Sequence, residues 1–130
     1  MAFPAMYPYF GYKDAAAIVK WFQEAFAFEI IQVNNDADGV VMHAEMRFGN
    51  SAIMIGTSPD RVPPSNAADH GIYVYVEDVD AHYQRASAAG AQIVYPPEDT
   101  GWGTRRYRVL DPEGYEWSFG SYHPTIKEQG

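Results

Sequence analysis

The chain contains no cysteine, which excludes disulfides, thiolate metal sites and cysteine nucleophiles. Basic residues are scarce, with 9 lysines and arginines against 17 aspartates and glutamates and a formal net charge of -8. Nucleic-acid binding needs a basic face, so this balance argues against a nucleic-acid partner. No apolar run approaches the roughly 18 residues that span a bilayer. The first residues, Met-Ala-Phe-Pro-Ala-Met-Tyr, lack the basic segment and apolar core of a secretory leader. A cytoplasmic chain without membrane attachment is therefore expected. Also missing are the G-x-S-x-G elbow, H-E-x-x-H, the Walker A loop and G-x-G-x-x-G. Gly101-Trp-Gly-Thr104 has glycines but no adjacent helix start, so it does not read as a phosphate loop.

What is present is aromatic and apolar: 47% of the 130 residues are hydrophobic and 15% are Phe, Trp or Tyr. A chain of this length forms one domain that buries about two-thirds of its unfolded surface. The most ordered stretch runs from Arg105 to Gly120. Tyr107 and Val109, then Trp117 and Phe119, recur at period two on either side of Asp111-Pro-Glu-Gly114. Proline at the second turn position presets φ and glycine at the fourth takes the positive φ that closes the turn. Two alternating strands joined by a tight turn follow from that spacing.

The rest of the chain repeats around this hairpin. Tyr7–Tyr12 reads as a short strand and Asp14 as a helix N-cap. Ala15, Ile18, Val19, Phe22, Ala25 and Phe26 then form the stripe of an amphipathic helix. Strands are expected at Phe28–Val33, Val40–Phe48 and Ala52–Gly56, with a polar turn at Asn34–Gly39. Thr57–Asp69, holding Pro59, Pro63 and Pro64, reads as a linker. A second strand, an Asp78-capped helix and strands at Gln92–Tyr95, Arg105–Leu110 and Tyr115–Gly120 follow. An offset of 64 carries the first helical stripe onto Val79, His82, Tyr83, Ala86, Ala89 and Gly90, and Tyr9 onto Tyr73. The chain thus reads as two βαβββ modules, about 7–56 and 70–122, joined by a linker at 57–69 and ending in a tail at 123–130. The fold class is α+β.

The paired modules, the D-P-x-G turn with its aromatic strand, and Met42-His-Ala-Glu-Met-Arg-Phe-Gly-Asn-Ser-Ala-Ile-Met-Ile-Gly56 together resemble the vicinal-oxygen-chelate superfamily. That superfamily includes glyoxalases, dioxygenases and bleomycin resistance proteins, and the resemblance lies with its glyoxalase-like or phosphonate-operon-like branch. It implies a curled, half-open mixed sheet with helices outside and a concave cavity, and a homodimer. It also implies metal ligands on the first and last strand of each module. The matching positions here are Tyr7, Met54, Gly71 and Ser118, and none carries a carboxylate or imidazole. A thioether and a glycine offer nothing to a hard divalent ion, so no metal and no cofactor is expected. A substitute centre of His43, Glu45 and His70 remains an alternative, with a one-residue bulge turning His70 inward.

Alternation divides the strands into two faces. One is uniformly apolar and faces the helices. The other carries Tyr7, Tyr9, His43, Glu45, Arg47, Met54, Tyr73, Tyr75, Arg106, Arg108, Glu116 and Ser118. Aromatic area with convergent polar heads is the makeup of a small-molecule site, although the same set also suits an ordinary solvated sheet face. Trp102 between two glycines is a candidate lid over the cavity. Similarity to the drug-binding resistance proteins implies metal-free sequestration of an aromatic or amphipathic ligand such as an antibiotic. The alternative is an enzyme: a glyoxalase-like lyase or dioxygenase, or a metal-free catalyst with His43 or Glu45 as general base.

Overall fold

The structure is a computed structural model, and it describes residues 4–62 and 71–125. Elements follow in the order β1 (Tyr9–Tyr12), α1 (Ala15–Ala25), β2 (Glu29–Asn35), β3 (Val41–Phe48) and β4 (Ser51–Thr57). Then come β5 (Ile72–Tyr75), α2 (Val79–Ala88), β6 (Gln92–Asp99), β7 (Arg105–Leu110) and β8 (Glu116–Gly120). The chain divides into two compact units, one holding β1 to β4 with α1, the other β5 to β8 with most of α2. Each unit is a βαβββ module with a four-stranded mixed sheet, ordered β1-β4-β3-β2 in the first and β5-β8-β7-β6 in the second. The α+β fold expected from the repeat is the fold observed.

In the first unit, the Asp14 carboxylate accepts from the Ala17 amide at 3.1 Å and starts α1, satisfying one of the donors a helix start leaves unpaired. Ala15, Ile18, Val19, Phe22 and Ala25 are buried on one helical face. Phe22 meets Tyr12 edge-on at 6.1 Å, stacks on Phe26 at 5.4 Å and lies 5.3 Å from Phe28. The helix ends through a left-handed residue, Ala27 at φ 64. The Phe28 amide there reaches back to the Phe22 carbonyl at 3.2 Å, a reversal that usually recruits glycine.

In the second unit, α2 lies on its sheet through His82, whose Nδ1 is 2.7 Å from the Tyr107 hydroxyl and whose ring is 4.1 Å from Phe119. Tyr107, Val109, Trp117 and Phe119 are buried, as are Ala44, Met46, Ile53 and Ile55 in the first unit. Asp111 anchors the closing hairpin. Its carboxylate accepts from the amides of Glu113 at 3.0 Å and Tyr115 at 3.1 Å, and from Trp117 Nε1 at 3.1 Å. Gly114, at φ 91, takes the conformation that closes this turn.

Several boundaries differ from the sequence expectation. β2 runs on through Asn34 and Asn35, β4 includes Thr57, and β1 begins at Tyr9 rather than Tyr7. β6 continues past Tyr95 across Pro96 and Pro97 to Asp99. It is an edge strand, and its register slips between Tyr95 and Glu98. Prolines fit there because a bulged edge asks for no ladder donor. Most of the expected linker, His70 just after it, and the end of the tail lie outside the described residues. His123, read as part of that tail, sets its ring 4.8 Å from Tyr75.

Candidate functional site

The second unit presents one row of side chains straight across its sheet. Tyr73 pairs with Ser118, Ser118 with Arg108, and Arg108 with Tyr95, so β5, β8, β7 and β6 each give one residue to the row. Alternation explains the first three: each is flanked in its strand by residues turned to the helix side, such as Tyr107 and Val109 around Arg108. Tyr95 joins them because of a slip. Ile93 pairs with Val109 and the next partner pair is Tyr95 with Arg108, so one extra residue intervenes. That bulge turns Tyr95 from the helix side to the open side.

This row floors a cavity of about 580 Å³ whose wall also takes in Trp102, Tyr122, Thr100, Thr104, Arg106 and Glu116. Arg108 donates from Nε to Ser118 Oγ at 3.0 Å and lies 3.3 Å from Glu116. Its guanidinium carbon is 5.3 Å from the Tyr95 centroid. Arg106 stands 5.8 Å from the rings of both Tyr95 and Trp102 and pairs with Glu98 at 3.2 Å. Arg105 turns the other way, to Asp80 and Asp99, each at 3.0 Å. Those hydrogen bonds hold the Asp80 carboxyl below the usual carboxylate range and the Arg105 guanidinium above its ordinary value.

Two features shape the cavity's side. The Tyr73 hydroxyl donates to the carbonyl of Tyr122, and desolvation, set against that bond, raises the phenol above its ordinary value. This is possible because position 120 is glycine. A Cβ built there would meet the Tyr73 hydroxyl at 2.8 Å and the Arg105 carbonyl at 3.0 Å. At the mouth, Thr100 and Thr104 are clasped, the Thr100 amide donating to the Thr104 carbonyl at 2.8 Å and the two hydroxyls meeting at 2.8 Å. The clasp holds out Trp102, which is 66% exposed.

Of the residues the sequence nominated, the structure gathers Tyr73, Trp102, Arg106, Arg108, Glu116 and Ser118 into this one wall. Tyr75 is on the same sheet but packs against His123 instead. The remaining nominees belong to the first unit. There Tyr9 pairs with Met54, Met54 with Glu45, and Tyr7 precedes β1. His43 Nε2 lies 2.8 Å from the Glu45 carboxylate. Arg47 does not join that pair but turns to the Gly49 carbonyl at 3.1 Å. Tyr95, Tyr122, Thr100 and Thr104 were not nominated. Tyr95 was hidden by the bulge, and Tyr122 by lying beyond the last strand.

At the positions that the resemblance aligns with the superfamily's ligands stand a phenol, a thioether, a bare backbone and a hydroxyl, a donor set that fits a hard divalent ion poorly. Among the described residues, no group of three or more His, Asp or Glu is arranged to hold an ion. His70, the third member of the alternative centre, is outside them. No helix among the described residues is long and apolar enough to cross a membrane.

Two βαβββ units, each with a four-stranded mixed sheet, define a paired-module architecture. The chain belongs to the Glyoxalase/Bleomycin resistance protein/Dioxygenase superfamily, whose signature matches residues 9–119. It is 35% identical over 129 residues to the uncharacterized protein Mb0911c of Mycobacterium bovis, covering 90% of this chain and 82% of that one. The crystal structure of TioX from Micromonospora sp. ML1 superposes with a TM-score of 0.75 at 32% identity, covering 95% of this chain and all of that one. A glyoxalase I mutant from Zea mays shares the fold at TM-score 0.74 and 16% identity, covering 91% of this chain and 45% of that one.

Proposed function

We propose that this protein is a metal-independent small-molecule binding protein that sequesters an aromatic or amphipathic ligand, such as an antibiotic, and acts as a cytoplasmic homodimer. The observation that carries this reading is the composition of the second unit's cavity. Tyr73, Tyr95, Trp102 and Tyr122 supply ring faces, while Arg108, Ser118 and Glu116 hold a prearranged polar floor. Stacked rings bind flat ligands through buried area and quadrupole contacts, each worth about 0.5–1.5 kcal/mol beyond the area term. Side chains already fixed by their partners lose little freedom on binding. Sequestration needs no bond making, since a ligand held in the cavity is withdrawn from its target. Tyr7, Tyr9 and Met54, on the first unit, are proposed as ligand contacts of that unit's own open face.

Calorimetry and tryptophan-fluorescence titration with a varied panel of aromatic antibiotics test the proposal. Saturable heat and quenching for at least one compound is the expected result; silence across the whole panel would sink it. Elemental analysis of protein purified without chelators tests metal independence. One transition metal per chain would overturn that part.

One observation favours a second reading. His43 and Glu45 form a 2.8 Å pair in which the carboxylate orients the imidazole, the arrangement of a general base. A glyoxalase-like lyase or dioxygenase would use this pair, with His70 as a third ligand if it holds a metal. Under that reading, His43→Gln abolishes turnover of a glyoxalase or dioxygenase substrate while ligand binding persists.

A further inference from the structure

The three arginines of β7 differ in how firmly their charges are spoken for. Arg105 makes a two-pronged contact with Asp80, Nε to Oδ2 and Nη2 to Oδ1 at 3.0 Å each, and a third bond to Asp99 at 3.0 Å. Parallel N–H donors on one carboxylate are the strong, directional form of this pairing. Arg108 faces Glu116, whose side chain is only 9% exposed, and also donates to Ser118. Breaking that shielded pair would strand a buried carboxylate, which is costly. Arg106 is held differently. Its Nε at 3.3 Å and its Nη2 at 3.2 Å both reach the same oxygen, Oε1 of Glu98. The two side chains are 41% and 49% exposed. An exposed pair closed on a single oxygen contributes little and exchanges readily. Glu98 lies outside the cavity wall, whereas Arg106 is part of it.

The exchangeable guanidinium, like that of Arg108 over Tyr95, also touches the stacking surface. Its central carbon is 5.8 Å from both the Tyr95 and the Trp102 ring centroids. An anion seated on its fork therefore has two aromatic faces beside it, and a flat ring attached to that anion lies against them. On a chain of net charge -8, overall attraction favours cationic ligands, so a local preference for anions would be the work of this residue.

Resting on the reading of this cavity as a ligand site, we propose that it selects planar aromatic carboxylic acids, and that the ligand carboxylate replaces Glu98 on Arg106. The incoming carboxylate gives a two-pronged pair where Glu98 gives a one-oxygen contact. Arg106 is thus the specificity residue of the site.

Three probes sharing one ring system test this: 2-naphthoate, 2-naphthamide and 2-naphthylmethylammonium, titrated by calorimetry and tryptophan fluorescence. We expect naphthoate to bind about tenfold tighter than the amide, a charge-assisted pair against a neutral one, with the ammonium weakest. Raising the salt concentration lowers the acid's affinity and leaves the amide's nearly unchanged. Arg106→Gln brings the acid-to-amide ratio to about one, and Glu98→Gln, which releases the guanidinium, raises the ratio severalfold. Circular dichroism establishes that each variant is folded. If acid and amide bind alike, if the ammonium binds best, or if Glu98→Gln leaves the ratio unmoved, this proposal falls while the ligand-site reading stands. Failure of all three probes to bind overturns the selection for aromatic acids, and binding of the antibiotic panel then decides the broader reading separately.

Discussion

A single carboxylate does much of the folding work in the second unit. Asp111 is 3% exposed, yet it satisfies two turn amides and the indole of Trp117. Buried donors left without an acceptor cost about 1–3 kcal/mol each. Asp111→Ala is therefore expected to destabilise the protein by about 3 kcal/mol, the upper end of single-residue effects, read as a lower urea midpoint with unchanged slope. The sequence showed Asp111 as a turn residue, but not that Trp117 reaches back to it. Period two says which face a side chain takes, not which neighbour it bonds. A second expectation concerns acid. Asp80 sits below the usual carboxylate range because Arg105 binds its charged form. A depressed folded value contributes stability that is present above the ordinary aspartate range and lost as pH falls through the folded value. Asp80→Asn should thus flatten the acid side of a melting-temperature profile, leaving little difference from wild type at the lowest pH.

At the scale of elements, legibility tracks how local the cause is. Both helices follow from their capping aspartates and from stripes of apolar residues, all within a dozen positions of one another. The end of α1 was less legible because the reversal uses Ala27 at φ 64 instead of a glycine. Left-handed backbone costs an L-residue roughly 1–2 kcal/mol, and glycine gives back about 0.4–1 kcal/mol through the unfolded chain. Ala27→Gly is accordingly expected to raise stability by up to about 1 kcal/mol, the balance of those two terms, measured by chemical denaturation. The length of β6 was hidden for a different reason. Proline usually ends a strand, and only the sheet order reveals that Pro96 and Pro97 sit on an edge. The same irregular edge carried Tyr95 into the candidate site unseen.

Across the molecule, the repeat that exposed the fold also shows where the copies diverged. An offset of 64 carries the β1–β4 pair Tyr9 and Met54 onto the β5–β8 pair Tyr73 and Ser118. The third strands follow an offset of 63 instead, because Met46 pairs with Ile53 while Val109 pairs with Trp117. By that register His43 and Glu45 correspond to Arg106 and Arg108. One module therefore carries an imidazole–carboxylate pair where the other carries two guanidiniums, and alternation alone put all four on open faces. The homodimer inferred above is checked by light scattering, which should give twice the 14.6 kDa of one chain. A mass of one chain at all concentrations would remove it.

Gly120 offers a last consequence. The hydroxyl of Tyr73 occupies the room a side chain would take there, so the smallest possible mutation, one methyl, pushes on a tyrosine and a main-chain oxygen together. Drift at this spot would tilt a wall and loosen the Tyr122 tether in a single step. One wall of the proposed binding site is therefore constrained by an atom it does not have.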